Sequence, residues 1–463
     1  MKKTMRLVSL FLVAFIVMGL FAACSSSGND PKTSPSVDKT GSEPAKSSEP
    51  APEGKPYNIH VITSRAMDDK GDYGYVFGRV LKDYVAENPN YTYDYEVVEQ
   101  MDIPGKISLL IASNDVPDFF TTEAGGAMQN IIQSGGIANM EEAVKELGFN
   151  YDDIVADGAK GGMNVINGRP YYYLPTRYAI SGVWYNKEIF AANNIKIPET
   201  WEEFEAVCEK LKAAGIQPMV AGGAGQWPVT RWVVLAMTRM LGHDAVINAS
   251  TMKNGVTFRD EGYAEATGYM QRLFQKGYFG EGWNSIDVST SINMFLTGKT
   301  AMIYYTGTIV ASLMNPEINK IGTDAIGVFN MPNMEASKTK EDGRKMAIVN
   351  PGQALCFGKT KFEEGTNHGV LKALVSNIGQ YLWELGAISP YKVEMPDGFP
   401  PLMNDIMDYY NTMEYQLTWF EGNMSTAVTT KAFQEGQLLS EGAITPEQFC
   451  EIIAAAIEED LKK

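Results

Sequence analysis

The chain has 463 residues, 44% of them hydrophobic and 21% charged, with a formal charge of −17 at pH 7. So acidic a chain argues against nucleic-acid binding and against electrostatic adhesion to an anionic surface. Its length exceeds what one hydrophobic core normally holds, so a body of two lobes is expected.

Residues 1–23 read as an export signal. Lys2, Lys3 and Arg6 form a positive start, and Leu7 to Leu20 an apolar run too short and wrongly flanked for a stable span. The segment ends in Leu20-Phe21-Ala22-Ala23-Cys24, which resembles a bacterial lipobox with Phe21 where leucine is usual. That resemblance implies that Cys24 is lipid-modified and becomes the new N-terminus, holding the chain at the outer face of a membrane. Loss of Lys2, Lys3 and Arg6 with the signal carries the formal charge from −17 to about −20. Residues 24–56 are rich in Ser, Pro, Glu, Lys and Gly with almost no large apolar side chain, the composition of a flexible tether.

Asn58 to Thr63 then reads as a strand. Phe77, Val80, Leu81, Tyr84 and Val85 make a helical stripe that ends at Asn88-Pro89, and Tyr93, Tyr95 and Val97 alternate as a second strand. This β-α-β opening predicts a parallel pair with a right-handed crossover. A second helix carries Ile107, Leu110 and Ile111 before Val116-Pro117-Asp118-Phe119-Phe120. Further on, Thr200 and Glu203 predict a capping box for a helix whose buried stripe is Phe204, Val207, Cys208 and Leu211, closed by Gly215. A short strand from Gln217 to Val220 is expected next. It leads into Ala221-Gly222-Gly223-Ala224-Gly225-Gln226-Trp227-Pro228, a loop placed where open α/β sheets bind ligands. The last helix is marked by Thr445, Pro446 and Gln448, with Phe449, Ile452, Ile453, Ala456 and Ile457 on its buried face. Cys208, Cys356 and Cys450 lie in apolar surroundings without metal-ligand spacing and are expected to be free, buried thiols.

Several stretches in order carry a family resemblance. YNKEIF at 185–190, the Pro-x-Thr-Trp-x-Glu-Phe step at 198–204 and KLKAAGIQP at 210–218 are followed by the Gly-rich loop to Trp227-Pro228 and by FLTGKTAM at 295–302. From about Tyr57 to the C-terminus the chain resembles the extracellular solute-binding proteins that feed sugars to ABC importers, the maltose-binding-protein-like group. The resemblance implies an α/β fold of the two-lobed, type II periplasmic-binding-protein kind. Each lobe would hold a mixed, mostly parallel sheet flanked by helices, with three hinge crossings between them. The N-terminal lobe would comprise 57–176 and 353–400, and the C-terminal lobe 177–352 and 401–463. The first crossing would run through Tyr171 to Tyr178 and the return near Ile348 to Gly352. A ligand touching both lobes would favour the closed state.

Sugars pair an apolar C–H face with hydroxyl edges, so their sites combine flat aromatic rings with planar polar groups. Of 7 Trp, 23 Tyr and 20 Phe, Trp227, Trp283 and Trp419 fall where the cleft is expected, whereas Trp184, Trp201, Trp232 and Trp383 lie on element faces and read as core. Arg65, Asp69, Thr122, Glu123, Arg177, Tyr178, Gln226, Gln353 and Glu421 are the candidate polar partners. Where many relatives carry Asn-Gly-x-Trp after the FLTGKTAM motif, this chain has Tyr305-Thr306-Gly307-Thr308-Ile309, so Thr306 and Thr308 are expected to offer hydroxyls in place of a ring.

His60, His243 and His368 show no metalloprotease spacing, no Gly-x-Ser-x-Gly nucleophile motif occurs, and the acidic pairs Asp152-Asp153 and Glu202-Glu203 point apart on their elements. No cofactor and no metal are therefore expected. The expectation is a non-catalytic receptor, lipid-anchored through Cys24 on the extracellular face of a bacterial membrane. It would be monomeric and capture a carbohydrate for ABC permease subunits. Two alternatives stay open: the same scaffold binding a polyamine or peptide-like solute, and a secreted carbohydrate hydrolase with two carboxylates opposed across the cleft.

Overall fold

Parallel neighbours in a sheet need a crossover long enough to hold a helix, and the first sheet of the computed structural model begins that way. The structure describes residues 55–68, 73–123, 127–160, 172–350, 353–417 and 419–462. The export-like segment, nearly all of the tether, Cys24, Asp69 and Tyr171 lie outside the described residues. β1 (Tyr57–Thr63) pairs in parallel with β2 (Tyr91–Val97) and with β3 (Phe119–Glu123). The helix Tyr73–Glu87 links the first two and buries Val76, Phe77, Val80 and Leu81. β10 (Gln353–Phe357) runs antiparallel between β3 and β4 (Leu174–Pro175), completing the order β2-β1-β3-β10-β4. Helix His368–Glu384 covers this sheet beside the first helix, and Ile59, Val61, Phe77, Phe119, Leu355 and Leu371 share one core.

A second body is built around β6 (Gly182–Asn186), flanked on both sides by antiparallel β7 (Met302–Tyr305) and β8 (Ile326–Phe329). A third, small sheet places β9 (Met346–Asn350) between antiparallel β5 (Ala179–Ile180) and parallel β11 (Tyr415–Leu417). The chain thus passes from the first sheet to this one between β4 and β5, and back between β9 and β10. The strands on either side are paired, β4 with β10 and β5 with β9, in an arrangement consistent with a two-lobed type II α/β fold. Antiparallel pairing is more prominent than the expected mostly parallel sheets, because the connections into β7, β8 and β10 return the chain in the opposite sense.

Local signals translate closely into elements. Helix Trp201–Ala213 starts at Thr200, whose hydroxyl accepts the Glu203 N–H at 3.2 Å, and Gly215 follows its end at φ +75°. The Glu203 carboxylate reaches back to the N–H of Glu199 at 2.8 Å instead of that of Thr200. The capping box of helix Pro446–Asp460 is complete, though Cys450 and Ala454 are buried on its inner face and Ile452 and Ala456 only partly so. Cys208, Cys356 and Cys450 are free and buried, and burial pushes the Cys450 thiol up to about 11. Trp184, Trp201, Trp232 and Trp383 are core residues.

The strand expected from Gln217 to Val220 is absent. Gln217 and Pro218 accept from the N–H groups of Ala301 and Met302, each at 2.9 Å, but Pro218 has no N–H to return and the ladder goes no further. A second close fit lies where the sheets meet: a Cβ at Gly307 would overlap the Tyr410 hydroxyl, which accepts the Ile180 N–H at 2.8 Å. Gly307→Ala is expected to displace Tyr410 and strand that buried donor, lowering stability by about 1–3 kcal/mol in calorimetry. An unchanged melting midpoint would contradict this packing.

Candidate functional site

The first group of candidate residues gathers at the carboxyl ends of β1 and β3, beside the start of β10. Thr63 closes β1 and Thr121 lies in β3, and their hydroxyls meet at 3.0 Å. The Tyr73 hydroxyl, from the first turn of its helix, joins Thr121 at 3.0 Å and donates to Gln353 Oε1, which also accepts from Ser64 at 3.0 Å. Thr176 Oγ1 donates to the Gln353 carbonyl at 3.0 Å, so this one residue ties β1, β10 and the passage after β4 together. Arg65 donates to Gln100 Oε1 at 2.9 Å, and its carbonyl accepts from the Tyr95 hydroxyl at 2.8 Å. Arg177 lies 5.7 Å from the Tyr73 ring centroid. Glu123 is placed by its backbone directly opposite Gln353. Thr122 is fully buried, and its hydroxyl finds no hydrogen-bond partner among the described residues.

The second group forms around the start of helix Trp227–Leu241. The Gly-rich loop makes a single tight turn, Gly223–Gly225, and its glycines are needed for close approach: a Cβ on Gly222 would press on the Val288 backbone, and one on Gly223 on Trp283. Gln226 holds φ +59° and ψ −48°, a backbone that a non-glycine residue keeps only at about 1–3 kcal/mol of strain. Trp227 and Pro228 then open the helix, and Arg231 falls one turn later on the same face as Trp227. The Arg231 guanidinium lies 5.1 Å from the Trp227 ring and 4.4 Å from the Trp419 ring. It is also ion-paired with Glu421, whose carboxylate accepts from Thr230 at 3.4 Å. Glu421 is only 3% exposed, whereas both tryptophans are half-buried, Trp419 against the margin of the core. Tyr305, at the end of β7, brings a third ring 5.8 Å from Trp227.

The groups are linked through the passages between the sheets. Tyr178 packs edge-on against Tyr410 at 5.2 Å, and burial pushes the Tyr178 phenol up to about 12. Tyr410 rests over Gly307, next to Thr306 and Thr308. Thr306 is buried and accepts the Thr308 N–H at 3.3 Å, while Thr308 is half-buried. Trp283 keeps apart from the other indoles, packed 4.6 Å from Phe274 beneath the Gly223 turn. Sequence reasoning missed Arg231, Tyr73, Tyr305 and Tyr410. Only Arg231 left a trace, the four-residue spacing from Trp227.

Amides and hydroxyls of the first group, and half-buried rings of the second, are the side-chain types that meet a polar solute by edge and by face. Comparison with known proteins agrees with this class. Residues 68–354 match the family model described as bacterial extracellular solute-binding protein, and the chain belongs to that family. It is 23% identical over 373 residues to an uncharacterized ABC transporter extracellular-binding protein of Pyrococcus horikoshii, covering 78% of this chain and 79% of that one. Similarity to an alpha-glucosides-binding periplasmic protein of Rhizobium meliloti is 24% over 307 residues, which span 62% of this chain and 64% of that one. A solved chitin oligosaccharide binding protein superposes with a TM-score of 0.76 at 21% identity, covering 87% of this chain and 98% of its own. Among the described residues no helix is long and apolar enough to cross a membrane.

Proposed function

We propose that this protein is the receptor of an ABC importer that captures a neutral carbohydrate, of oligosaccharide length, between its two lobes and delivers it to the permease. The observation that carries the reading is the cluster of half-buried rings, Trp227, Trp419 and Tyr305, gathered around Arg231. Rings take the C–H face of a sugar, and amides and hydroxyls take its edges. The relatives named for alpha-glucosides and chitin oligosaccharide support the same class.

In this reading the N-terminal lobe comprises 57–176 and 353–400, the C-terminal lobe the rest, and closure turns on the passages near 176–179 and 350–353. Gln226, Trp227, Tyr305, Trp419, Thr308, Arg65 and Arg177 contact the solute. Glu421, paired and buried, acts through Arg231. In this reading the protein holds its ligand without cleaving it, as the family's description as solute-binding protein supports. Lipidation at Cys24 would anchor the receptor, with the Ser/Pro-rich segment as its tether.

A thermal-shift panel of chitotriose, xylotriose, raffinose, spermidine and a tripeptide tests the reading. A sugar present at 100 times its dissociation constant is expected to add about 2.7 kcal/mol to stability. A midpoint raised by spermidine or the peptide and by none of the sugars would overturn it.

A further inference from the structure

The Arg231–Glu421 pair sits where a stability device would be poorly placed. A buried ion pair loses in desolvation much of what it gains in attraction, and apolar residues of like volume generally stabilise as well. This one joins segments 190 residues apart: Arg231 on the first helical turn after Trp227, and Glu421 two residues beyond Trp419. The guanidinium is 14% exposed and the carboxylate 3%, so neither group serves as a free surface charge. One cation touches both indoles, at 5.1 Å and 4.4 Å, and those indoles come from the two joined segments. Arginine suits this task because its planar fork can stack on rings while its N–H groups meet a carboxylate.

We propose that Arg231 is the positioning and specificity-determining residue of the site: stacked on Trp227 and Trp419 and neutralised by Glu421, it fixes the two rings as one platform for an uncharged sugar ring and gives an anionic sugar no gain. A lone guanidinium between two rings would instead recruit carboxylates, as arginine does wherever planar acids are bound. The inference rests on the carbohydrate reading above, and its test separates the two.

Wild type is first titrated by calorimetry with chitotriose, xylotriose, raffinose and trigalacturonate. A neutral sugar is expected to bind and trigalacturonate to bind more weakly. The charge-free double variant Arg231→Met with Glu421→Leu is then titrated with that neutral sugar, while tryptophan emission and acrylamide quenching report ring freedom. Affinity is expected to fall about tenfold or more, with a red-shifted, more quenchable emission. Arg231→Lys, which keeps the charge and loses the planar fork, is expected to fall between the two. Glu421→Gln, which leaves the guanidinium uncompensated, is expected to gain affinity for trigalacturonate. Wild-type affinity and emission in a folded double variant would overturn the positioning role alone. A wild type preferring trigalacturonate would overturn the specificity claim. A wild type binding none of the sugars would remove the carbohydrate reading, and this inference with it.

Discussion

Glu421→Ala is expected to lower the melting midpoint on the order of 10 °C, the largest stability effect foreseen for any single side chain near the site. The carboxylate is 3% exposed and pairs with Arg231, itself only 14% exposed. Removing one partner of a buried pair leaves a charge without compensation, at about 3–5 kcal/mol. In a body of this size each kcal/mol moves the midpoint by about 2–4 °C. Thr230 loses only its longer contact to this carboxylate, at 3.4 Å, and keeps the Trp227 carbonyl as acceptor at 3.0 Å. Replacing both charges, as in Arg231→Met with Glu421→Leu, is expected to restore most of the loss, because no ion then remains buried. Differential scanning calorimetry of the single and double variants decides the matter. A Glu421→Ala midpoint within a degree of wild type would mean that solvent reaches the pair freely.

The largest expected effect on binding belongs to the rings. Trp227→Ala or Trp419→Ala is expected to weaken sugar affinity by about 2 kcal/mol or more, roughly thirtyfold, as buried aromatic anchors do. The double replacement should not sum the two, because Arg231 touches both indoles and each loss loosens the other. Both side chains are half-buried, so the ligand-free midpoint should move little. Trp283→Ala is expected to do the reverse: its ring packs against Phe274 and under Gly223, so stability falls while affinity changes less. Sugar affinity preserved in the Trp227→Ala, Trp419→Ala double variant would remove the stacking platform.

How much of this was legible in the chain depended on how local the cause was. The Thr445 capping box, the stripe of helix Trp201–Ala213 and the parallel pair around helix Tyr73–Glu87 each arise within a short stretch, where periodicity and capping chemistry decide. The strand predicted at Gln217–Val220 failed for an equally local reason that hydropathy does not weigh, the missing N–H of Pro218. Strand direction was harder, since it is set by long connections rather than by the residues that pair. The site split in the same way. Trp227 and Trp419 were visible as aromatics in loop-like contexts. Their junction through Arg231 and Glu421 was hidden, because it joins positions 190 residues apart. The positive φ of Gln226 had no composition signal either; it follows from a loop squeezed between Val288 and Trp283.

Gln353 has a mechanical meaning beyond its contacts. Its side chain is fastened to Ser64 and Tyr73, its carbonyl to Thr176, and its backbone opens the strand by which the chain re-enters the first sheet. It works as a rivet between three stretches of chain, and replacing Gln353 by Ala would take from Ser64 and Tyr73 the acceptor they share.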